Sequence, residues 1–465
     1  MKRFMALAIS ILLCIPLLIC CVVKPSNPET EEISVSPSVD PQTLQPDIPV
    51  LTYHEVYNPD TDYDNNVGTG FSTLLNTENA YYWAGISGRY LYYYDKSNGD
   101  MGVLCPKPEC THDQEMYNYG CAGYLDAFTG QAVCMYEGKI YFFRDTKGKA
   151  LFRMNPDGTE KERLLDIECE PEYVPQRTAI HRGKLYGVSY ASVVRDGEPF
   201  NITSVSSWDL ETGEFKLIYE EEIRSLGIAQ MFFFGDYVYF SCSYPNYRYI
   251  DEDTQEYLDT TLKVCRYDTK TEQVEELLNS TDPNIKGSRY ALWVEAEDRI
   301  YTAPLVANGG DGDPTAVYLV TGGKLEKVFE LDWNYNIHLF DGMIVADGTT
   351  TPNRASNPDP PKLLEHFLIL DYTGNVLYEG DKQVDPAFAY GEDSWQTAIQ
   401  RLAYCQGMLA ADNAFFMIYV YGLKPEYYSV ELTAQGKGEK SWLVKYELID
   451  GELVETIIGV EKYRV

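Results

Sequence analysis

Short apolar runs alternate with polar turn signals along most of the chain beyond residue 70. The clearest example is 131–168, QAVCMYEGKIYFFRDTKGKALFRMNPDGTEKERLLDIE. It predicts four strands, at 132–136, 139–144, 150–154 and 162–167. Glu137-Gly138 makes a tight turn between the first two, and Asn155-Pro156-Asp157-Gly158 a turn between the last two. β-Branched and aromatic residues fill the runs, and residues that supply a positive or preset φ fill the gaps.

This unit recurs. The first turn returns as Glu78-Asn79, Glu137-Gly138, Arg182-Gly183, Gly235-Asp236, Glu297-Asp298, Asp341-Gly342 and Asp412-Asn413. The second returns as YDKSNGD, MNPDGTE, WDLETGE, YDTKTEQ, VTGGKLE, LDYTGNV and ELIDGEL. A four-stranded unit with two apolar faces cannot bury both alone, and radial stacking buries them. The prediction is therefore all-β, a seven-bladed β-propeller. Six or eight blades are the alternatives, and a pair of β-sandwiches is the rival architecture. The blades are expected at 71–105, 131–168, 178–219, 229–278, 290–331, 336–379 and 400–460. Irregular inserts are expected at 349–361, 381–397 and 422–440, and no long helix is expected.

The first 23 residues have a different character. Lys2-Arg3 precedes an apolar run over 4–23 with Pro16 inside it, which predicts an export signal. The run is also long enough for an uncleaved membrane anchor. Leu18-Ile19-Cys20-Cys21 has the form of a lipobox, with Cys21 the expected lipidation site and Cys20 the alternative. Residues 24–50, rich in Pro, Ser and Glu, predict a disordered tether. The propeller domain is expected over 51–465, with 51–70 as its lead-in. Each anchoring reading puts the propeller outside the cytoplasm, on the outer face of the cytoplasmic membrane.

Charge narrows the partners. The chain has 38 basic and 71 acidic residues and a net charge of −33. Nucleic acid and anionic lipid would both be repelled, so the membrane is expected to be met only through the N-terminal anchor. A basic peptide, a neutral glycan or bound cations remain compatible. The 39 tyrosines fit strand packing between blades, and some could line a recognition surface.

One stretch carries chemistry of its own. LCPKPECTHDQEMYNYGCAGY, residues 104–124, brings Cys105, Cys110, His112 and Cys121 within a short span, and Cys134 follows. Three thiols and an imidazole are a ligand set that zinc prefers. A disulfide-stapled loop, for example Cys110 to Cys121, is the alternative outside the cytoplasm, and unpaired thiols the third. An inter-blade position favours a structural role. Glu109 or Asp113 could serve as the carboxylate base of a catalytic metal, but nothing singles them out. Cys242 and Cys265 are expected on neighbouring strands of blade 4, where they could face each other. His54, His181, His338 and His366 are isolated and read as structural. The acidic loop tips at 251–253 and 309–313 could take calcium, although neither has full EF-hand spacing and a solvated turn fits both.

The segment LYYYDKSNGDMGVLCPKPECTHD, residues 91–113, resembles TolB-like β-propeller lipoproteins of Gram-positive anaerobes, a domain of unknown function. The likeness extends over the signal, the tether and the repeat region. It implies a surface lipoprotein with a propeller and carries over no activity. No H-E-x-x-H, G-x-S-x-G or phosphate loop occurs. The expected function is thus binding or scaffolding, with a peptide, protein or glycan at a loop face. The alternative is a propeller glycosidase or lyase acting through paired carboxylates or a metal.

Overall fold

The computed structural model describes residues 51–66, 73–84, 90–110, 112, 118–125, 133–144, 149–195, 198–223, 228–249, 255–282, 285, 290–304, 315–331, 335–349, 363–384, 399–423 and 440–462. The expectations for Cys20, Cys21, the tether, Asp113, the two acidic loop tips and most of the three inserts lie outside these residues.

Seven four-stranded antiparallel sheets occupy 73–103, 134–166, 177–223, 228–280, 290–330, 336–384 and 399–462. Each sheet takes its four strands consecutively from the chain. The first strands of sheets 3 to 7 meet the first, second or third strands of the sheet before them, blades 1 and 2 share one apolar cluster, and the last sheet returns to the first through its first and fourth strands. The seven sheets therefore close into a ring, a seven-bladed β-propeller. The ring closes without strand exchange, because blade 7 and blade 1 each keep all four of their own strands.

The local reasons are the predicted ones. The turns between first and second strands include Glu137-Gly138, Arg182-Gly183 and Asp412-Asn413, in which both residues have positive φ. Such two-residue turns match the twist of the strands they join. In five of the seven turns between third and fourth strands an Asp carboxylate accepts from the backbone two residues on. Examples are Asp95 with Ser97, Asp157 with Thr159 and Asp371 with Thr373. The hydroxyls of Ser97, Thr159 and Thr373 bond the same carboxylates and, with these amides, hold the three carboxyls below the usual carboxylate range.

Burial follows position in the blade. The first strand of blade 5, Tyr290–Ala296, is buried at nearly every position, whereas the fourth, Lys324–Glu330, is mostly exposed. Many tyrosines are core residues, among them Tyr81, Tyr141, Tyr186, Tyr239, Tyr267 and Tyr446, in line with the packing reading of tyrosine abundance.

In a meander of this kind the 1–2 and 3–4 turns lie at one end of the ring and the 2–3 hairpins at the other. The lead-in segment crosses the first of these ends. Thr52 pairs with Ala296 of blade 5. The amides of Glu137 in blade 2 and Arg182 in blade 3 donate to the carbonyls of Asp60 and Thr61, each at 2.8 Å. The Asn65 side chain bonds both the N–H and the C=O of Phe233 in blade 4, at 2.8 and 2.7 Å. Asn66 accepts from Asp341 of blade 6 and Ala410 of blade 7, both at 3.0 Å. Residues 52–66 therefore form a strap bonded at or beside the first turns of six blades. Beyond the predicted role of a lead-in to blade 1, the segment joins the rest of the ring.

The opposite end carries long hairpins. In blade 3, Lys184–Arg195 pairs with Glu198–Asp209, and in blade 4, Tyr237–Tyr249 pairs with Gln255–Asp268. Among the described residues no helix is long and apolar enough to cross a membrane.

Candidate metal centre

The Cys/His segment leaves blade 1 at the end of its fourth strand, Met101–Val103. Cys105 follows directly, and the Lys107 carbonyl accepts from the Cys110 amide at 3.1 Å to close a tight loop. A second turn, Asn118 carbonyl to Cys121 amide at 3.0 Å, brings the last cysteine back. The chain then runs beside blade 1, where Tyr124 bridges to Tyr90 and the Leu91 amide donates to the Gly123 carbonyl. Gly123 is required there: a Cβ would lie 2.7 Å from the Leu104 carbonyl oxygen.

Two lysines hold the segment. Lys107 donates to the Gly120 carbonyl at 2.7 Å. Lys161, from blade 2, donates to the carbonyls of Ala122 and Tyr124 at 2.8 and 2.6 Å. The segment is thus pinned between the outer parts of blades 1 and 2.

These turns gather the four predicted residues. One ligand atom each of Cys105, Cys110, His112 and Cys121 lies within 4.8 Å of the others. Cys121 is buried, and the other three are half-buried. His112 has φ +54°, a backbone strained for a side-chain-bearing residue. Its Nε2 is buried without a hydrogen-bond partner. The Tyr90 ring meets the imidazole edge-on at 6.4 Å between centroids.

The thiols respond unequally to this crowding. Burial would raise Cys105, but the His112 imidazole, the backbone at Lys107 and Ala122, and Cys121 outweigh it and bring the thiol to about 6. Burial first, then the neighbouring Cys105 and Cys110, push Cys121 up to about 12. A second thiolate beside the first needs a cation to offset it. The donor set is soft, four-membered and able to hold a metal.

The other candidates fall elsewhere. None of the three described cysteines of the segment is in a disulfide. Cys134 lies on the first strand of blade 2 in the main core, apart from the cluster, and burial raises its thiol to about 12. Glu109 is exposed and outside the cluster. Cys242 and Cys265 do lie on neighbouring strands of blade 4, but Cys242 is opposite Lys263 and Cys265 opposite Phe240. They are diagonal neighbours and form no disulfide.

The four remaining histidines serve the fold. His181 is buried, accepts from the Tyr63 amide through Nδ1 at 3.2 Å, and meets the Gly235 carbonyl through Nε2 at 2.8 Å. That arrangement fixes the neutral Nε2–H tautomer, and burial lowers its pKa to about 4. His54, His338 and His366 pair with Asp341, Asp347 and Asp381.

No protein-family model matches the sequence, and no curated protein matches it. Solved structures that it resembles include an acylaminoacyl peptidase of Pyrococcus horikoshii, at 10% identity over 86% of this chain and 54% of that one, with a TM-score of 0.42. An oligogalacturonate lyase in complex with manganese matches at 12% identity over 80% of this chain and 93% of that one, with a TM-score of 0.40. The β-propeller domain of the Trilobed protease from Pyrococcus furiosus matches at 11% identity over 86% and 97%, with a TM-score of 0.38. The chain spans about half the length of the peptidase it matches.

Proposed function

We propose that this chain is an exported, lipid-anchored propeller that binds a peptide or protein segment at the end opposite the strap. The observation that carries the reading is the strap itself. Residues 52–66 occupy one mouth of the ring and engage the turns of six blades there. A ligand meeting this form of the propeller has the other end to approach, where the long hairpins of blades 3 and 4 project. Among the described residues two apolar side chains are exposed on those hairpins: Val194 at 73% and Leu258 at 51%. Leu258 sits at a register shift, where Asn246 pairs with Asp259 and Tyr247 with Tyr257. A bulge of this kind turns a side chain out of the ladder.

Charge sets the ligand class. A net charge of −33 favours a segment that carries basic residues beside apolar ones. Export rests on the N-terminal apolar run, and anchoring on Cys21 or Cys20.

Photo-crosslinking in the producing cell tests this. A crosslinker at Val194 or Leu258 is expected to trap a partner, and one at Asp298 on the strap side is not. Adducts at Asp298 alone, or at none of the three, would sink the proposal. Loss of membrane association in a chain carrying Ser at both Cys20 and Cys21 is the expected result for lipidation.

A further inference from the structure

We propose that Cys105, Cys110, His112 and Cys121 form a closed, four-ligand zinc site that rivets blade 1 to blade 2. The proposal is independent of any ligand at the hairpin end.

The first argument is distance. Tetrahedral zinc with bonds of about 2.3 Å to sulfur puts its ligand atoms about 3.8 Å apart. The four atoms already lie within 4.8 Å of one another, so each pair has to close by about 1 Å at most. The second is the unsatisfied imidazole. His112 Nε2 is buried with no hydrogen-bond partner, on a residue held at φ +54°. A buried nitrogen left unpaired is costly, and zinc bound through Nε2 would remove that cost.

The third argument is the count of sulfurs. One disulfide consumes two of the three thiols. It leaves the third thiol and the imidazole in the same small space with only each other to bond. A metal uses all four donors at once.

Four protein ligands leave no position for water or substrate, so the role is structural. On binding, the thiols that still carry protons lose them to solvent. Three Zn–S bonds and one Zn–N bond form, and no electron is transferred. The site then ties the end of blade 1's fourth strand to the 118–124 segment, which Lys161 holds on blade 2.

The test uses the full chain, purified in detergent with reductant and without chelator. Metal is measured by elemental analysis, and apo protein is titrated with Co²⁺. One zinc per chain and an intense thiolate-to-cobalt band are expected. His112→Ala should weaken zinc at least tenfold against a competing chelator, and His112→Cys should restore it. The restoring variant separates ligation from a folding defect. Circular dichroism of each variant reports whether the strands persist. Less than stoichiometric zinc without a thiolate–cobalt band would overturn the proposal. So would a disulfide in chain isolated under nitrogen, or zinc binding indifferent to both Cys110→Ser and His112→Ala.

Discussion

Asp412 accepts a hydrogen bond from the Tyr81 hydroxyl at 2.7 Å, across the seam where the last blade meets the first. The same carboxylate accepts from Lys96 Nζ at 2.6 Å and Asn76 Nδ2 at 2.8 Å, both in blade 1. Blade 7 offers no strand to blade 1, so these side chains and the apolar contacts around them close the ring there. Tyr81 also meets Phe416 edge-on at 5.0 Å.

Asp412→Ala removes all three bonds and puts Ala at φ +53°. The loss should be about 2–3 kcal/mol. Asp412→Gly keeps the backbone relaxed and loses only the bonds, so it should fall between wild type and Ala. Thermal unfolding of the two variants checks the order. Burial opposes ionisation of Asp412, but Lys96, Tyr81 and Asn76 more than offset it and hold the carboxyl below its usual range. The stabilisation is therefore present above the ordinary carboxylate pKa and is lost as pH falls through the lowered one. Equal stability of Ala and wild type at pH 7 would refute this account of the seam.

Gly459 gives a second test at the same seam. A Cβ there would lie 2.3 Å from Cζ2 of Trp83 in blade 1. Gly459→Ala should therefore destabilise by about 1–3 kcal/mol, as overpacking does. Trp83→Phe supplies room, so the double variant should lose less than the sum of the singles. A double-mutant cycle with zero coupling would show that the two residues do not meet.

Much of this ring was legible in the sequence, and the reason is locality. Glu137-Gly138 and Arg182-Gly183 announce their turns because the backbone there must take positive φ, which few residues tolerate. The Cys/His set was legible for a similar reason, since all four residues fall on one short stretch. The strap was not legible. Asn65 recognises Phe233 from 168 positions away, and nothing in DNNVG announces that partner. The length of the blade 4 hairpin was also obscured. Pro245 lacks a ladder donor, yet it sits within Tyr237–Tyr249 opposite Thr260.

The strap's weight can be measured at Asn65. Its side chain pairs with the backbone of Phe233 in both directions, as a neighbouring strand would. Asn65→Ala leaves that N–H and C=O unpaired and should cost about 2 kcal/mol. Brief proteolysis should then cut within 52–66 before it cuts any blade. Cleavage that begins in the blades at wild-type rate would show that the strap is not what Asn65 holds.

Two groups at the strap give opposite pH dependences. His181 is lowered to about 4 by burial, against an ordinary value of 6.5. The folded chain binds fewer protons than the unfolded one between those values, so stability is full above about 6.5 and falls towards pH 4. Asp64 runs the other way. Burial first, then Asp341 and Asp412, raise its carboxyl to about 6 despite two bonds from Asn66. Its ionisation works against folding, and stability is lost as pH rises from about 4 to 6. Asp64→Asn keeps an acceptor for Asn66 and removes the charge. It should stabilise by about 1 kcal/mol at pH 7, a figure reduced for partial solvent contact, and by nothing near pH 4. Denaturant titrations of wild type and variant at the two pH values decide the matter. A gain that is the same at both would mean that charge is not the cause.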